Sequence, residues 1–311
     1  MTFQELTDEM TSLYAQRDYA GALALIEQHA GFFPEHAGRT TFWKMCFLSL
    51  CGRAADVISV FQQGLDSDLW WAERQFADTD LDAVRDLPEF KRLMDVSLEK
   101  YRQAQKHIQP ERILLEPDTY ESTLPLLIAL HGGGGNKESN LEVWDVARRR
   151  GWLVLSPQAT YSIFPNAYWW AEDLEQRLRD IQIHFEDVLQ NYPIDTARIV
   201  TAGMSQGSGM AIYTALSGKF PVRGFISIAI GWQPSTIADL ANRTHAQGVR
   251  GYFVIGEKDR FLQNARDIQK ILRAQHISFD EEVYPDLGHE WPPDLEKSFD
   301  TAINFIFEER E

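Results

Sequence analysis

The stretch Ile199-Val200-Thr201-Ala202-Gly203-Met204-Ser205-Gln206-Gly207-Ser208-Gly209-Met210-Ala211-Ile212-Tyr213 decides the fold. Its first four residues are apolar or β-branched, as in a buried strand, and Met210 to Tyr213 continue as a helical run. Between them lies a Gly-x-Ser-x-Gly motif. A strand that turns abruptly into a helix holds the serine in a strained backbone, and glycines two positions before and after it let neighbouring backbones pass. Ser205 Oγ is then exposed beside a helix N-terminus, where developing negative charge is favoured. Ser208 lacks the paired glycines and reads as a small packing residue of the helix.

Outward from this motif, strand-like runs alternate with helical ones from Arg112 to the C-terminus, the pattern of an α/β domain with a mostly parallel sheet flanked by helices. The strands expected are Arg112 to Glu116, Leu124 to Leu130, Trp152 to Ser156, Arg198 to Gly203, Gly224 to Ile230, Gly251 to Gly256 and Phe279 to Tyr284. Helices are expected near Asn140 to Arg150, Ala171 to Asn191, Gln206 to Ser217, Leu262 to Gln275 and Pro293 to Glu308. Before about Gln105 no segment alternates as a strand would, and apolar residues recur every three or four positions, so this part reads as all helix. The composition changes between Gln105 and Pro110, which divides the chain into a helical domain over 1–106 and an α/β domain over 107–311.

Within the helical domain, Asp18 to Ile26 and Arg53 to Phe61 repeat each other at an offset of 35 residues, aligning Ala22 with Val57 and Ile26 with Phe61. Trp43 precedes Gly52 as the first helix of a second unit would require, and Pro34 closes the first unit. The period is similar to that of tetratricopeptide (TPR) repeats, about 34 residues. The match is degenerate: Arg17 stands where the first unit should have glycine, and Ala54 where the second should have tyrosine. A further irregular helical pair, from Asp80 through Pro88 to Tyr101, is expected to cap the stack.

The 311 residues are 44% hydrophobic and 24% charged, enough for a real core. A formal net charge of -16 argues against nucleic-acid partners, which need clustered Lys and Arg, and against anionic membranes. No apolar stretch approaches the roughly 20 residues that span a bilayer, and the first 20 residues do not have the pattern of a signal peptide, so a cytoplasmic location is expected. Cys46 and Cys51 fit neither a metal or redox pair nor a disulfide framework and read as packing residues. Paired carboxylates suited to glycoside cleavage are not evident.

Two further elements complete the chemistry of Ser205. His131-Gly132-Gly133-Gly134-Gly135-Asn136 follows the apolar run Leu126 to Leu130, and glycines present backbone N–H groups at close range to a developing oxyanion. The Gly133 N–H, with that of Gln206, is the expected donor pair, Gly132 being the near alternative. The lysine spacing of a phosphate-binding loop is absent, and His131 reads as structural. A serine hydroxyl also needs a base and an orienting carboxylate, expected after it in the order acid, then histidine. Asp259 ends the run Gly251 to Lys258, with Glu257 and Asp286 as alternates. His289 follows Asp286-Leu287-Gly288 and precedes the final helix, with His245 as a rival in an uncertain loop.

With these residues assembled, the region 112–311 resembles an α/β hydrolase, most of all the phospholipase/carboxylesterase group of serine esterases. Leu130-His131-Gly132-Gly133-Gly134, Gly203 to Ser208, Gly256 to Asp259 and Gly288-His289 match that group's LHGxG, GxSQGG, GxxD and GH motifs. Ser208 replaces a glycine of the group, Gly135-Asn136 replaces an acidic residue that often follows its glycine loop, and the helical third is foreign to the usual fold. The resemblance implies Ser205 as nucleophile, His289 as general base then acid, Asp259 as its orienter, and Gly133 with Gln206 as oxyanion donors. It also implies a small-molecule ester substrate and chemistry that needs neither metal nor organic cofactor. Thioesters are an alternative substrate class. Trp169 and Trp170, Trp232, and Trp291 are expected to line an apolar substrate cleft. The helical domain is expected to serve as a lid, a self-association surface or a site for a protein partner. The rival expectation is an interaction module carrying a weakly active or inactive hydrolase domain.

Overall fold

A computed structural model describes residues 1–119, 122–241 and 248–308. The chain divides into two compact units: Met1–Ile108 together with Ser162–Ala167, and Gln109–Tyr161 together with Tyr168–Glu311.

The first unit contains α1 (Phe3–Ala15), α2 (Tyr19–His29), α3 (Ala37–Leu50), α4 (Ala54–Asp66), the short α5 (Glu73–Phe76) and α6 (Asp82–Arg85), and α7 (Pro88–Gln105). Helix starts follow the capping residues: Thr2 forms a reciprocal capping box with Glu5, and the Asp18 side chain accepts from the Gly21 N–H. The repeat is visible in the packing. Ala22 and Ile26 of α2 and their counterparts Val57 and Phe61 of α4 are all buried. The turns before these helices are equivalent too, since Arg17 has φ 59° where Gly52, 35 residues on, has φ 72°. Arginine thus occupies a left-handed conformation that glycine adopts without a steric penalty. Trp71 anchors the unit's centre: its indole N–H donates to the Gly38 carbonyl at 2.9 Å, its backbone exchanges hydrogen bonds with the Ser97 hydroxyl, and its ring meets Phe61 edge-on. Burying each such aromatic side chain contributes on the order of 2–3 kcal/mol. Cys46 is buried, as its packing role requires. Cys51 is exposed at the C-cap of α3, where the helix has ended, which corrects the packing expectation for that residue.

The second unit is built on seven strands in the order β1-β3-β2-β6-β7-β8-β9: β1 (Arg112–Leu115), β2 (Leu124–Leu130), β3 (Leu153–Pro157), β6 (Ile194–Met204), β7 (Gly224–Ile228), β8 (Arg250–Gly256) and β9 (Ser278–Tyr284). Only β1 runs antiparallel, against β3; every other neighbouring pair is parallel. Helices α8 (Leu141–Arg148), α9 (Leu174–Asn191), α10 (Gln206–Leu216), α11 (Pro234–Ala241), α12 (Leu262–Ala274) and α13 (Leu295–Phe307) flank it. Both faces of the sheet are covered. Leu124, Leu126, Ile128 and Leu130 of β2 join an apolar layer with Ile181 and Phe185 of α9, whereas Leu127 and Ala129 join a layer with Trp144 of α8 and Phe299 of α13. This is why β2 reads as an unbroken apolar run rather than an alternation. The parallel sheet, its flanking helices and the abrupt β6-to-α10 turn make up an α/β-hydrolase fold.

Sequence reading missed two elements. One is α11, whose proline stands at the first helical position, where a missing N–H is harmless. The other is a two-stranded hairpin of β4 (Tyr161–Phe164) and β5 (Ala167–Trp169), closed by Pro165 and Asn166, the latter at φ 59°. Its tip, Ser162–Ala167, belongs to the helical unit. A contiguous division at residue 106 therefore omits six residues that lie far along the chain.

Candidate active site

The site is assembled at the carboxyl edge of the sheet by four loops. At the first, β6 ends on Met204, Ser205 takes φ 56° and ψ -119°, and α10 begins at Gln206. A positive φ at serine is a strained conformation. Its neighbours leave no alternative to glycine: a Cβ on Gly203 would come within 2.4 Å of the Gly207 backbone, and one on Gly207 within 2.0 Å of the Leu130 carbonyl oxygen. The Ser205 N–H donates to the Ile228 carbonyl of β7 at 3.0 Å, which holds the turn against the sheet. Ser208 is fully buried with its hydroxyl 2.6 Å from that of Ser227, a packing position facing away from the chemistry.

The second and third loops follow β8 and β9. Asp259, 7% exposed, lies just beyond β8, and both of its carboxylate oxygens meet His289 Nδ1, at 2.9 and 3.0 Å. Oδ1 of Asp259 also accepts the Phe261 N–H at 2.8 Å, which fixes the carboxylate plane. A ring nitrogen facing a carboxylate carries the proton, so His289 presents the lone pair of Nε2 to Ser205 Oγ, 2.8 Å away. The Phe261 ring packs edge-on against the imidazole. The two loops are clasped by the Lys258 N–H donating to the Leu287 carbonyl and by an ion pair between Lys258 and Asp286. That pair holds the Asp286 carboxyl below its usual range and engages it away from His289. Glu257, the other alternate acid, is exposed. His245 lies outside the described residues.

The glycine loop after β2 is fixed from several sides. His131 is fully buried, and burial pushes its imidazole down to about 4, so it is neutral. Nε2 accepts the Ala159 N–H at 3.2 Å, which leaves the proton on Nδ1, 2.8 Å from the Gly132 carbonyl oxygen. That oxygen also accepts the Gly135 N–H. In a trans peptide the following N–H points to the opposite side, so anchoring the Gly132 carbonyl aims the Gly133 N–H away from His131. The Gly134 N–H is taken by the Tyr168 carbonyl, whereas the N–H groups of Gly133 and Gln206 have no acceptor among the described residues. Gly132 lies close to the serine: a Cβ there would sit 3.9 Å from Ser205 Cβ.

The four tryptophans occupy different environments. Trp169 is half-buried with its ring directly on Gly133, where a Cβ would come within 2.6 Å of the indole. Trp170 is fully buried; its N–H donates to Gln206 Oε1 at 2.7 Å and its indole N–H to the His131 carbonyl at 2.9 Å. Trp232 is buried against Gly209 and Tyr213. Trp291 meets the buried Trp144 edge-on. Trp170 and Trp232 thus support the loop and helix that carry the site, and Trp169 is the one of the four set over a candidate donor. Sequence reading missed Phe261 and the tie from Trp170 to Gln206; a phenylalanine two residues after the acid and a tryptophan pair before a helix were the only signals.

Residues 2–105 match the family described as A/B hydrolase-like, N-terminal domain. An uncharacterized protein from Bacillus cereus ATCC 10987 has a similar structure over 99% of both chains, with a TM-score of 0.55 and 21% identity. The Bacillus cereus carboxylesterase is similar over 67% of this chain and 99% of its own, with a TM-score of 0.52 and 16% identity. Esterase PE8 is similar over 65% of this chain and 99% of its own, at 0.51 and 18%. No curated protein matches the sequence. Among the described residues no helix is long and apolar enough to cross a membrane. The chain has the α/β-hydrolase fold, and its helical third is similar to the A/B hydrolase-like N-terminal domain.

Proposed function

We propose that this protein is a serine esterase that hydrolyses a small-molecule carboxylic ester through an acyl-enzyme. The observation that carries the reading is the relay of hydrogen bonds from Asp259 through His289 to Ser205 Oγ on a strained turn. In this reaction Ser205 Oγ attacks the ester carbonyl carbon while its proton passes to His289 Nε2, and Asp259 stabilises the imidazolium that results. The carbonyl oxygen becomes an oxyanion that accepts from the Gly133 and Gln206 N–H groups, beside the positive end of α10. Collapse breaks the bond to the alkoxy oxygen, which takes the proton from His289 and leaves as the alcohol. Water then attacks the acyl-serine with His289 as base, and the carboxylate departs with Ser205 restored. No step calls for a metal or organic cofactor.

The names of two structures of like fold, a carboxylesterase and an esterase, accord with this chemistry, although fold by itself assigns no substrate. The helical unit would supply a surface for a protein partner or for self-association. The test is treatment with a fluorophosphonate followed by mass spectrometry of the adduct. Labelling at Ser205 that is lost in His289→Ala is the expected result, followed by turnover in a panel of esters and thioesters of graded acyl length. Folded protein that takes up no label and cleaves none of the panel would overturn the reading and leave a passive hydrolase scaffold.

A further inference from the structure

The chain that leaves β7 meets the nucleophile irregularly. Met204 and Ile228 are the last paired residues of β6 and β7, and beyond them the Ser205 N–H donates to the Ile228 carbonyl at 3.0 Å. A regular parallel ladder would bring the Ile230 N–H to the Ser205 carbonyl. The Gly231 N–H takes that place, at 3.1 Å, so the continuation of β7 holds one extra residue, a bulge of the kind that re-aims a chain at the rim of a sheet. Ala229 stands in it at φ 44°, a conformation that is costly for a residue with a side chain. The segment is pinned from both sides: the Ala229 N–H donates to the Val254 carbonyl of β8 at 3.0 Å, and the Trp232 carbonyl accepts from Asn264 Nδ2 of α12 at 2.8 Å. Ile230 is thereby buried in the apolar layer with Met210 and Tyr213 of α10, and Gly231, half-buried, lies beside the reacting serine.

A Cβ on Gly231 would stand 3.0 Å from Ser205 Oγ, closer than carbon and oxygen ordinarily approach. Gly231 is not among the glycines with positive φ, so its backbone suits any residue, and what glycine provides there is space. An ester carbon bonded to Oγ carries its other substituents in fixed directions. The oxyanion faces the Gly133 and Gln206 N–H groups, the leaving oxygen faces His289 Nε2, which protonates it, and the acyl carbon takes the direction left over. Gly231 is neither donor nor base, and it borders Oγ. We infer that Gly231 is a specificity-determining residue: its missing side chain is the opening beside Oγ that admits the acyl substituent, and the bulge at Ala229 is what places glycine there instead of Ile230. The inference rests on the esterase reading and deepens it to a substrate class, esters whose acyl group is larger than acetyl.

The experiment narrows the opening and reads two ester series. Gly231→Ala, in the full chain, is compared with the unmodified protein on p-nitrophenyl esters with acyl chains from acetyl to octanoyl, and on acetate esters of alcohols of rising size. The ratio of kcat/KM for the acetyl ester to that for the octanoyl ester is expected to rise at least about tenfold, while selectivity within the acetate series changes less than about twofold. A uniform loss across both series would show that the added methyl group disturbs Oγ itself, and a change confined to the alcohol series would put the leaving group over Gly231. Either result overturns the inference, as does an unchanged ratio. Should Gly231→Ala fail to fold, the crystal structure of the unmodified protein labelled at Ser205 with an alkyl fluorophosphonate decides. The alkyl chain on phosphorus, which stands for the acyl substituent, is expected against Gly231 Cα, and a chain directed elsewhere overturns the assignment. If the unmodified protein neither labels nor turns over either series, the esterase reading fails and the inference falls with it; a protein that labels and turns over with an unchanged ratio in Gly231→Ala fails the inference alone.

Discussion

Arg17 and Ser205, two of the non-glycine residues with positive φ among those described, have similar φ values, 59° and 56°, for opposite reasons. Arg17 occupies a turn whose counterpart in the second repeat is Gly52, so the repeat itself shows that glycine serves there. Arg17 lies in the helical unit, and its φ serves no reacting atom. Ser205 is confined by Gly203, Gly207 and the Leu130 carbonyl, and its conformation is what points Oγ at His289. Strain that positions a reacting atom is retained despite its cost, whereas strain without that function can be relieved freely.

Substitutions can break this comparison. The largest expected effect is Ser205→Ala: turnover of an activated ester should fall by roughly 10⁵–10⁶ with the circular dichroism spectrum unchanged. Substantial remaining activity would remove Ser205 from the mechanism. Asp259→Asn should lose about 10⁴ in kcat, because an amide cannot hold the His289 tautomer that presents Nε2 to the serine. A loss of less than about tenfold would show that the carboxylate does not orient the imidazole.

A smaller effect concerns pH. His131 titrates near 4 when folded and near 6.5 when unfolded, so below 6.5 the unfolded chain binds more protons and stability falls with pH until about 4. The loss across that window is about 3 kcal/mol for this group alone. Urea denaturation at a series of pH values should show the slope, and His131→Asn should flatten it; His184 and His36, also lowered by burial, preserve part of it. The smallest effect is Arg17→Gly, expected to raise stability by about 1 kcal/mol with kcat unchanged. Ser205→Gly should gain a similar amount and lose all turnover. A stability loss in Arg17→Gly would show that the arginine side chain makes a compensating contact, and the contrast between the two turns would fail.

The grouping of Ser205, Asp259 and His289 was legible because each stands within a few residues of a strand end. The boundaries of β2 follow from its apolar run, since a strand covered on both faces tolerates no polar interruption. The hairpin at 161–169 was not legible: its strands are four and three residues long, too short for periodicity, and Tyr-Trp-Trp reads equally well as cleft or core. Trp170 and Trp232 show the same ambiguity, for burial depends on neighbours that the local sequence does not name. Cys51 illustrates the complementary failure, since a helical run says nothing of which turn ends it.

The discontinuity of the helical unit has a consequence for how the protein is made. A chain synthesised from its N-terminus presents Met1–Ile108 first, yet the strand segment that completes that unit follows more than 50 residues later. Until Phe164 leaves the ribosome, the surface around Gly38 and Ala72 that receives it stays uncovered, and the Ala72 N–H has only water to bond. The segment that completes the helical unit is therefore synthesised only with the loop that leads to Trp169.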